Sequence, residues 1–139
     1  MTEYTAINPH YYKKTPLGIG KECIEYIELL PHAQATAGKY IYRVGNKDEL
    51  SQDLEKTMWY MRRAEMKKLV ADLKLIDPEL LGTIDGMASF RSNIFYLICT
   101  GNFISADYKI SQILEVLKVY NFNMDAPLTF GVKGGIVTP

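Results

Sequence analysis

Gly38 to Arg63 reads GKYIYRVGNKDELSQDLEKTMWYMRR, and this stretch decides the fold class. Gly45-Asn46 is the left-handed stop expected after a helix. Asp48 stands as an N-cap for the next helix, with Glu49 in its first turn. Leu50, Leu54, Thr57, Met61 and Ala64 recur at helical spacing, so that next helix has one apolar stripe and is expected to run to about Leu75. The same stretch concentrates charge. Lys39, Arg43 and Lys47 surround the turn, Glu49 and Asp53 follow it, and Tyr40, Trp59 and Tyr60 lie close by in sequence. Lys39 and Arg43 are one helical turn apart, and like charges so placed repel by roughly 0.2–0.5 kcal/mol. A shared anion relieves that repulsion, whether a glutamate of the first helix or the phosphate of a ligand. Trp59 is expected as a core anchor more than as a stacking platform.

Outward from this hairpin, the periodicity continues to predict helices. Gly20 to Leu30 is a short helix with Ile24, Ile27 and either Cys23 or Leu30 inward, and Glu22, Glu25 and Glu28 on a neighbouring stripe. Pro31 ends it, because the residue before proline is pushed out of the helical region. The helix that leads into the turn spans about Ala33 to Val44. Asp77-Pro78 closes the long helix, and Gly82 to Gly86 is a short turn. Met87 to Thr100 is a fourth helix with Phe90, Ile94, Leu97 and Ile98 inward, stopped by Gly101-Asn102. Ser105 or Asp107 caps a fifth helix running to about Tyr120, with Ile110, Ile113, Leu114 and Leu117 inward. Residues 1–19 are polar, aromatic and punctuated by proline and glycine, which predicts an irregular N-terminal arm. The segment from Asn121 is rich in the same breakers and is expected to be a flexible or partner-docked tail. The expectation is an all-α fold, a compact bundle of about five helices with a non-helical C-terminal tail. Residues 1–139 form a single domain, with a core over 8–63, additional helices over 79–121 and the tail over 122–139.

The 139 residues suffice for one core, and 47% hydrophobic with 23% charged residues is a globular composition. The formal net charge is zero, which argues against bulk nucleic-acid binding but leaves room for a local cationic pocket. Ten tyrosines suit ligand stacking or a subunit interface, as well as ordinary boundary positions. Cys23 and Cys99 are too few for a disulfide framework or a zinc site and fit a reducing cytoplasm. No signal peptide is expected in MTEYTAINPHYY, and the apolar run Ile94–Thr100 is too short to cross a membrane. Lys133-Gly134-Gly135 is not a phosphate-binding P-loop, since the upstream glycine and following Ser or Thr are missing. In the arm, His10 and Tyr11 can contact a phosphate or a base; the bland reading is a solvated turn.

The order N-P-H-Y at Asn8–Tyr11, E-C-I-E-Y-I-E at Glu22–Glu28, K-Y-I-Y-R-V-G-N-K at Lys39–Lys47 and D-L-E-K-T-M-W-Y-M at Asp53–Met61 resembles a family of small phage nucleotide kinase-like proteins. The family's domain also forms the C-terminal part of an early deoxynucleoside monophosphate kinase of a lytic coliphage. The resemblance covers about residues 8 to 63. His10, Tyr11, Glu25, Lys39, Tyr40, Arg43, Gly45, Lys47, Asp53, Lys56, Trp59 and Tyr60 match the pattern. Where the family has Gly-Asn before Ile-Lys-Tyr, this chain has Ala35-Thr36 before Ala37-Gly38-Lys39. The resemblance implies a nucleotide-binding protein of the host-cell cytoplasm, with His10, Tyr11, Lys39, Tyr40, Arg43 and Lys47 on the nucleotide.

Three chemistries fit these residues. In phosphoryl transfer, Lys39, Arg43 and Lys47 clamp phosphates while Asp53 and a glutamate hold Mg²⁺ through water. In an all-α pyrophosphohydrolase, E-x-x-E on one helix and E-x-x-D on another hold Mg²⁺; Glu22 and Glu25 fit the first half, while Glu49 and Asp53, four apart instead of three, fit the second imperfectly but still share a face, so a carboxylate tetrad is geometrically open. The bland counterpart is that these acids pair with Lys39, Arg43 and Lys47. The third is a non-catalytic sponge that sequesters a host nucleotide immune signal or inhibits a host enzyme, using the same clamp without metal. One chain this small offers a shallow pocket, so a homo-oligomer with the site near an interface is expected.

Overall fold

The computed structural model describes residues 23–45, 49–72 and 77–138. Six α-helices lie among them: α1 (Cys23–Ile27), α2 (His32–Arg43), α3 (Leu50–Met66), α4 (Pro78–Gly82), α5 (Phe90–Cys99) and α6 (Phe103–Leu117). The fold is all-α apart from one small antiparallel ladder, β1 (Asn121–Phe122) with β2 (Ile136–Val137), in which Phe122 stands opposite Ile136. No helix among the described residues is long and apolar enough to cross a membrane.

The quoted stretch does form a hairpin. Arg43 at the end of α2 faces Asp53 in the first turn of α3, and Tyr40 faces Lys56 and Tyr60 further along, so the two helices run antiparallel. The apolar stripe holds: Leu54, Thr57, Met61 and Ala64 are buried. On the far side of α2, Gly38 lets α1 and α5 come close. A Cβ there would stand 3.2 Å from Ile27 Cγ2 and 3.5 Å from Phe95 Cε1. The core fills the space between α2, α3, α5 and α6 with Ile41, Tyr42, Leu54, Met61, Phe95 and Ile110. Phe95 is its aromatic centre, meeting Tyr26 edge-on at 5.4 Å and Tyr42 at 5.6 Å.

Several expectations need correction. α3 stops at Met66, well short of Leu75. Lys68 adopts φ 56°, its N–H bonds Glu65 O, and the Leu69 N–H reaches back to Ala64 O at 2.9 Å. That pattern is a Schellman motif built without glycine. Ile24 is exposed rather than inward. Asp77-Pro78 starts a helix instead of ending one: Asp77 accepts from the Glu79 N–H and Pro78 occupies the first turn of α4. α5 begins at Phe90, not Met87, behind a capping box in which Ser89 and Ser92 satisfy each other's N–H groups. Asn102, not Ser105 or Asp107, is the residue before α6. The tail folds back on the bundle. Phe122, Met124 and Ala126 are buried, and Phe122 packs on Phe90 with ring centroids 5.1 Å apart.

Two polar residues tie the elements together. The Gln34 side chain on α2 is fully buried; it donates to Ile98 O at 2.8 Å and accepts from the Ala71 N–H at 2.8 Å. It therefore occupies carbonyls at the end of α5 and fixes the strand of chain that leaves α3. Arg91 on α5 does the same at the opposite end. Its Nη1 donates to Ile41 O and Tyr42 O at 3.0 Å each, while Nε and Nη2 grip the Asp125 carboxylate at 2.7 and 3.2 Å. A bidentate guanidinium of this kind satisfies the last carbonyls of α2 and anchors the tail at once.

Candidate functional site

Tyr40, Arg43, Lys56 and Tyr60 meet on one face of the α2–α3 hairpin, and its organiser is Tyr40. The half-buried Tyr40 ring stacks on Tyr60 at 5.8 Å with 22° between the planes. The Arg43 guanidinium lies over the same ring at 4.5 Å, and the Lys56 ammonium at 5.5 Å. The helical repeat explains the gathering. Tyr40 and Arg43 are three apart on α2, Lys56 and Tyr60 four apart on α3, and each pair shares a face. Cations over an aromatic face are stabilised by its quadrupole, and partial burial strengthens that attraction.

Arg43 itself is buried, and its Nη2 lies 3.8 Å from Asp53 Oδ1, with Asp53 fully enclosed. Asp53 of α3 thus supplies an anion beside Arg43. Lys39 is exposed one turn earlier on α2. Its charge is felt by Cys23, whose thiol burial pushes up to about 12 while Lys39 pulls it back. Cys99 is raised too, first by burial and then by Cys23. Both thiols are protonated and enclosed at neutral pH, so neither serves as a nucleophile.

Trp59 overturns the expectation of a core anchor. It is 59% exposed and meets Tyr60 edge-on at 4.9 Å. The reason is register: Met58 and Met61 occupy the buried stripe of α3, and Trp59 falls between them on the open side. Tyr40, Tyr60 and Trp59 therefore form a step of three rings, with the outermost in water.

Of the residues assigned from sequence, Lys39, Tyr40, Arg43 and Asp53 are placed on this hairpin, whereas Glu25 sits on α1 and Glu49 is exposed just ahead of α3. His10, Tyr11, Glu22 and Lys47 lie outside the described residues. Among the described residues, no three His, Cys, Asp or Glu side chains cluster as metal ligands would. Lys56 matches the family pattern, which assigns it no role, yet it stands over the Tyr40 ring. Its position one turn before Tyr60 was the available signal. Gln34 and Arg91 carry a comparable signal, since each interrupts an otherwise apolar helical stripe.

Comparison with protein-family models, with curated proteins and with solved structures returns no match to this chain.

Proposed function

We propose that the chain binds a nucleoside phosphate on the open face of the α2–α3 hairpin, as a small phage nucleotide kinase-like protein does. The observation that carries this reading is the ring step beneath two cations: Tyr40 under Arg43 and Lys56, stacked on Tyr60, leading to the exposed Trp59. Bases stack on exposed aromatic faces whatever their sequence, and lysines supply the phosphate's counter-charge. Lys39 is exposed and Lys56 half-exposed, whereas Arg43 is buried. Arg43 holds the Tyr40 ring and Asp53 from inside, so its contribution is to the shape of the site. A homo-oligomer belongs to the same reading.

Between transfer and sequestration, one observation favours the sponge. The Asp53 carboxylate, a member of the expected Mg²⁺ set, is enclosed against Arg43, which suits a partner of the cation better than a metal ligand. Mg²⁺ would then be needed only if a phosphoryl group moves.

Trp59 is the single tryptophan, so its fluorescence reports the site directly. Titration with each of the four deoxynucleoside monophosphates should quench it. Trp59→Ala should weaken binding, read by calorimetry, by about 1–3 kcal/mol, the range for one stacked base. Absence of both heat and quenching with all four defeats the proposal. Incubation with ATP and Mg²⁺ then separates the chemistries: a diphosphate product identifies a kinase, and an unchanged monophosphate identifies a binder.

A further inference from the structure

A second surface stands apart from the hairpin face. A groove of about 770 Å³ runs between the start of α6, the turn before α5 and the loop 128–132. Its walls are Met87, Ile104, Tyr108, Leu128 and Val132, with Lys109 as its one charged residue. Its rim carries Phe130, at 104% exposure as open to water as a side chain can be. Ile104 at 83%, Met87 at 70% and Tyr108 at 66% are nearly as open. Large apolar side chains are seldom left together on a monomer's surface.

The exposed area bears on what covers it. A fully exposed aromatic ring offers ~150–250 Å², so these four side chains together present on the order of 600–700 Å² of mostly apolar surface, close to the ~800 Å² per partner of a standard interface. The composition is that of an interface core, with methionine and aromatics present and charge nearly absent. The face also carries a knob and a hole side by side, Phe130 beside the cleft formed by Met87, Ile104 and Leu128. A two-fold axis places the knob of each copy in the hole of the other, which is the self-complementarity that an isologous contact requires.

We propose that this groove is the interface of a two-fold homodimer, each copy inserting Phe130 into the groove of its partner. The inference does not rest on the nucleotide reading, because every residue of the groove lies outside the stretch that resembles the phage family. It assigns a role to the second half of the chain.

Sedimentation equilibrium of the full chain without nucleotide tests it. The wild type should be dimeric at micromolar concentration. Phe130→Asp and, separately, Ile104→Lys should each weaken the dimer at least tenfold while leaving the circular dichroism unchanged, since both side chains face solvent. Val119→Lys, at an exposed apolar position outside the groove, should leave the dimer intact. A monomeric wild type overturns the proposal, as does a dimer that survives both groove variants. Equal loss in Val119→Lys also overturns it, because association would then be general stickiness of exposed apolar residues.

Discussion

Arg43 and Asp53 show how the same residues fit both a ligand clamp and an internal charged pair when only sequence is in hand. Spacing alone put Arg43 beside Lys39 on one helix face, and the repulsion called for an anion. The structure brings that anion from α3, enclosed in the hairpin. Arg43→Ala should therefore act first on stability. Truncating Arg43 removes the guanidinium that faces the enclosed Asp53, and breaking a buried pair typically costs about 3–5 kcal/mol. Urea unfolding should show a loss of that order, accompanied by weaker nucleotide binding because Tyr40 loses the nearer of the two cations above it. Retained stability with lost binding would restore Arg43 as a direct phosphate ligand. The signal for enclosure was present in the sequence. Asp53 shares a stripe with Thr57 and Ala64, just as Gln34 shares one with Ala37 and Ile41, and Arg91 one with Phe95 and Ile98. A polar residue on an apolar stripe marks a group that must find partners inside. What sequence cannot supply is the partner's identity, because Ile98 O, Tyr42 O and Asp125 come from elsewhere in the chain.

Among the elements, type was legible and ends were legible only where they use the usual residues. Gly101 stops α5 at φ 76°, with the Asn102 N–H on Leu97 O and its own N–H on Ile98 O, the geometry that Gly-Asn announces. α3 ends through the same two bonds, but with Lys68 in the left-handed position. Nothing in KKLVADLK signals that stop, because lysine and leucine favour helix. The tertiary structure overrides propensity here: Ala71 is drawn to Gln34, and Val70 lies against Gly101, where an added Cβ would meet its Cγ1 at 3.0 Å. Lys68→Gly should consequently stabilise the protein. It removes a left-handed penalty of about 1–2 kcal/mol, partly offset by glycine's entropy, for a net gain of about 0.5–1 kcal/mol. A higher urea midpoint at unchanged slope is the expected reading. A lower midpoint would show that Lys68 contributes contacts that outweigh its backbone strain.

At the scale of the whole molecule, the segment after α6 changes meaning. Its prolines and glycines predict a flexible or partner-docked extension, yet it is part of the core's closure. Arg91 holds Asp125, and the Phe90 and Arg91 N–H groups donate to Ala126 O and Met124 O, so the loop sits on the start of α5. Breaker-rich composition reports the absence of long regular elements and does not distinguish a free tail from a docked one. Gly135 gives the test. It is buried where the chain returns to pair with β1, and a Cβ there would stand 2.3 Å from Phe122 Cζ. Phe122 cannot swing away freely, because it is buried against Phe90. Gly135→Ala should thus overpack the site and cost about 1–3 kcal/mol, lowering the thermal midpoint by several degrees. Gly82→Ala is the internal control: a Cβ there meets nothing within 4 Å, and its midpoint should stay level or rise slightly. If Gly135→Ala unfolds no earlier than Gly82→Ala, the segment does not close the core, and the proposed interface, which borrows Phe130 from the same segment, loses the rigid support on which a knob-in-hole contact depends.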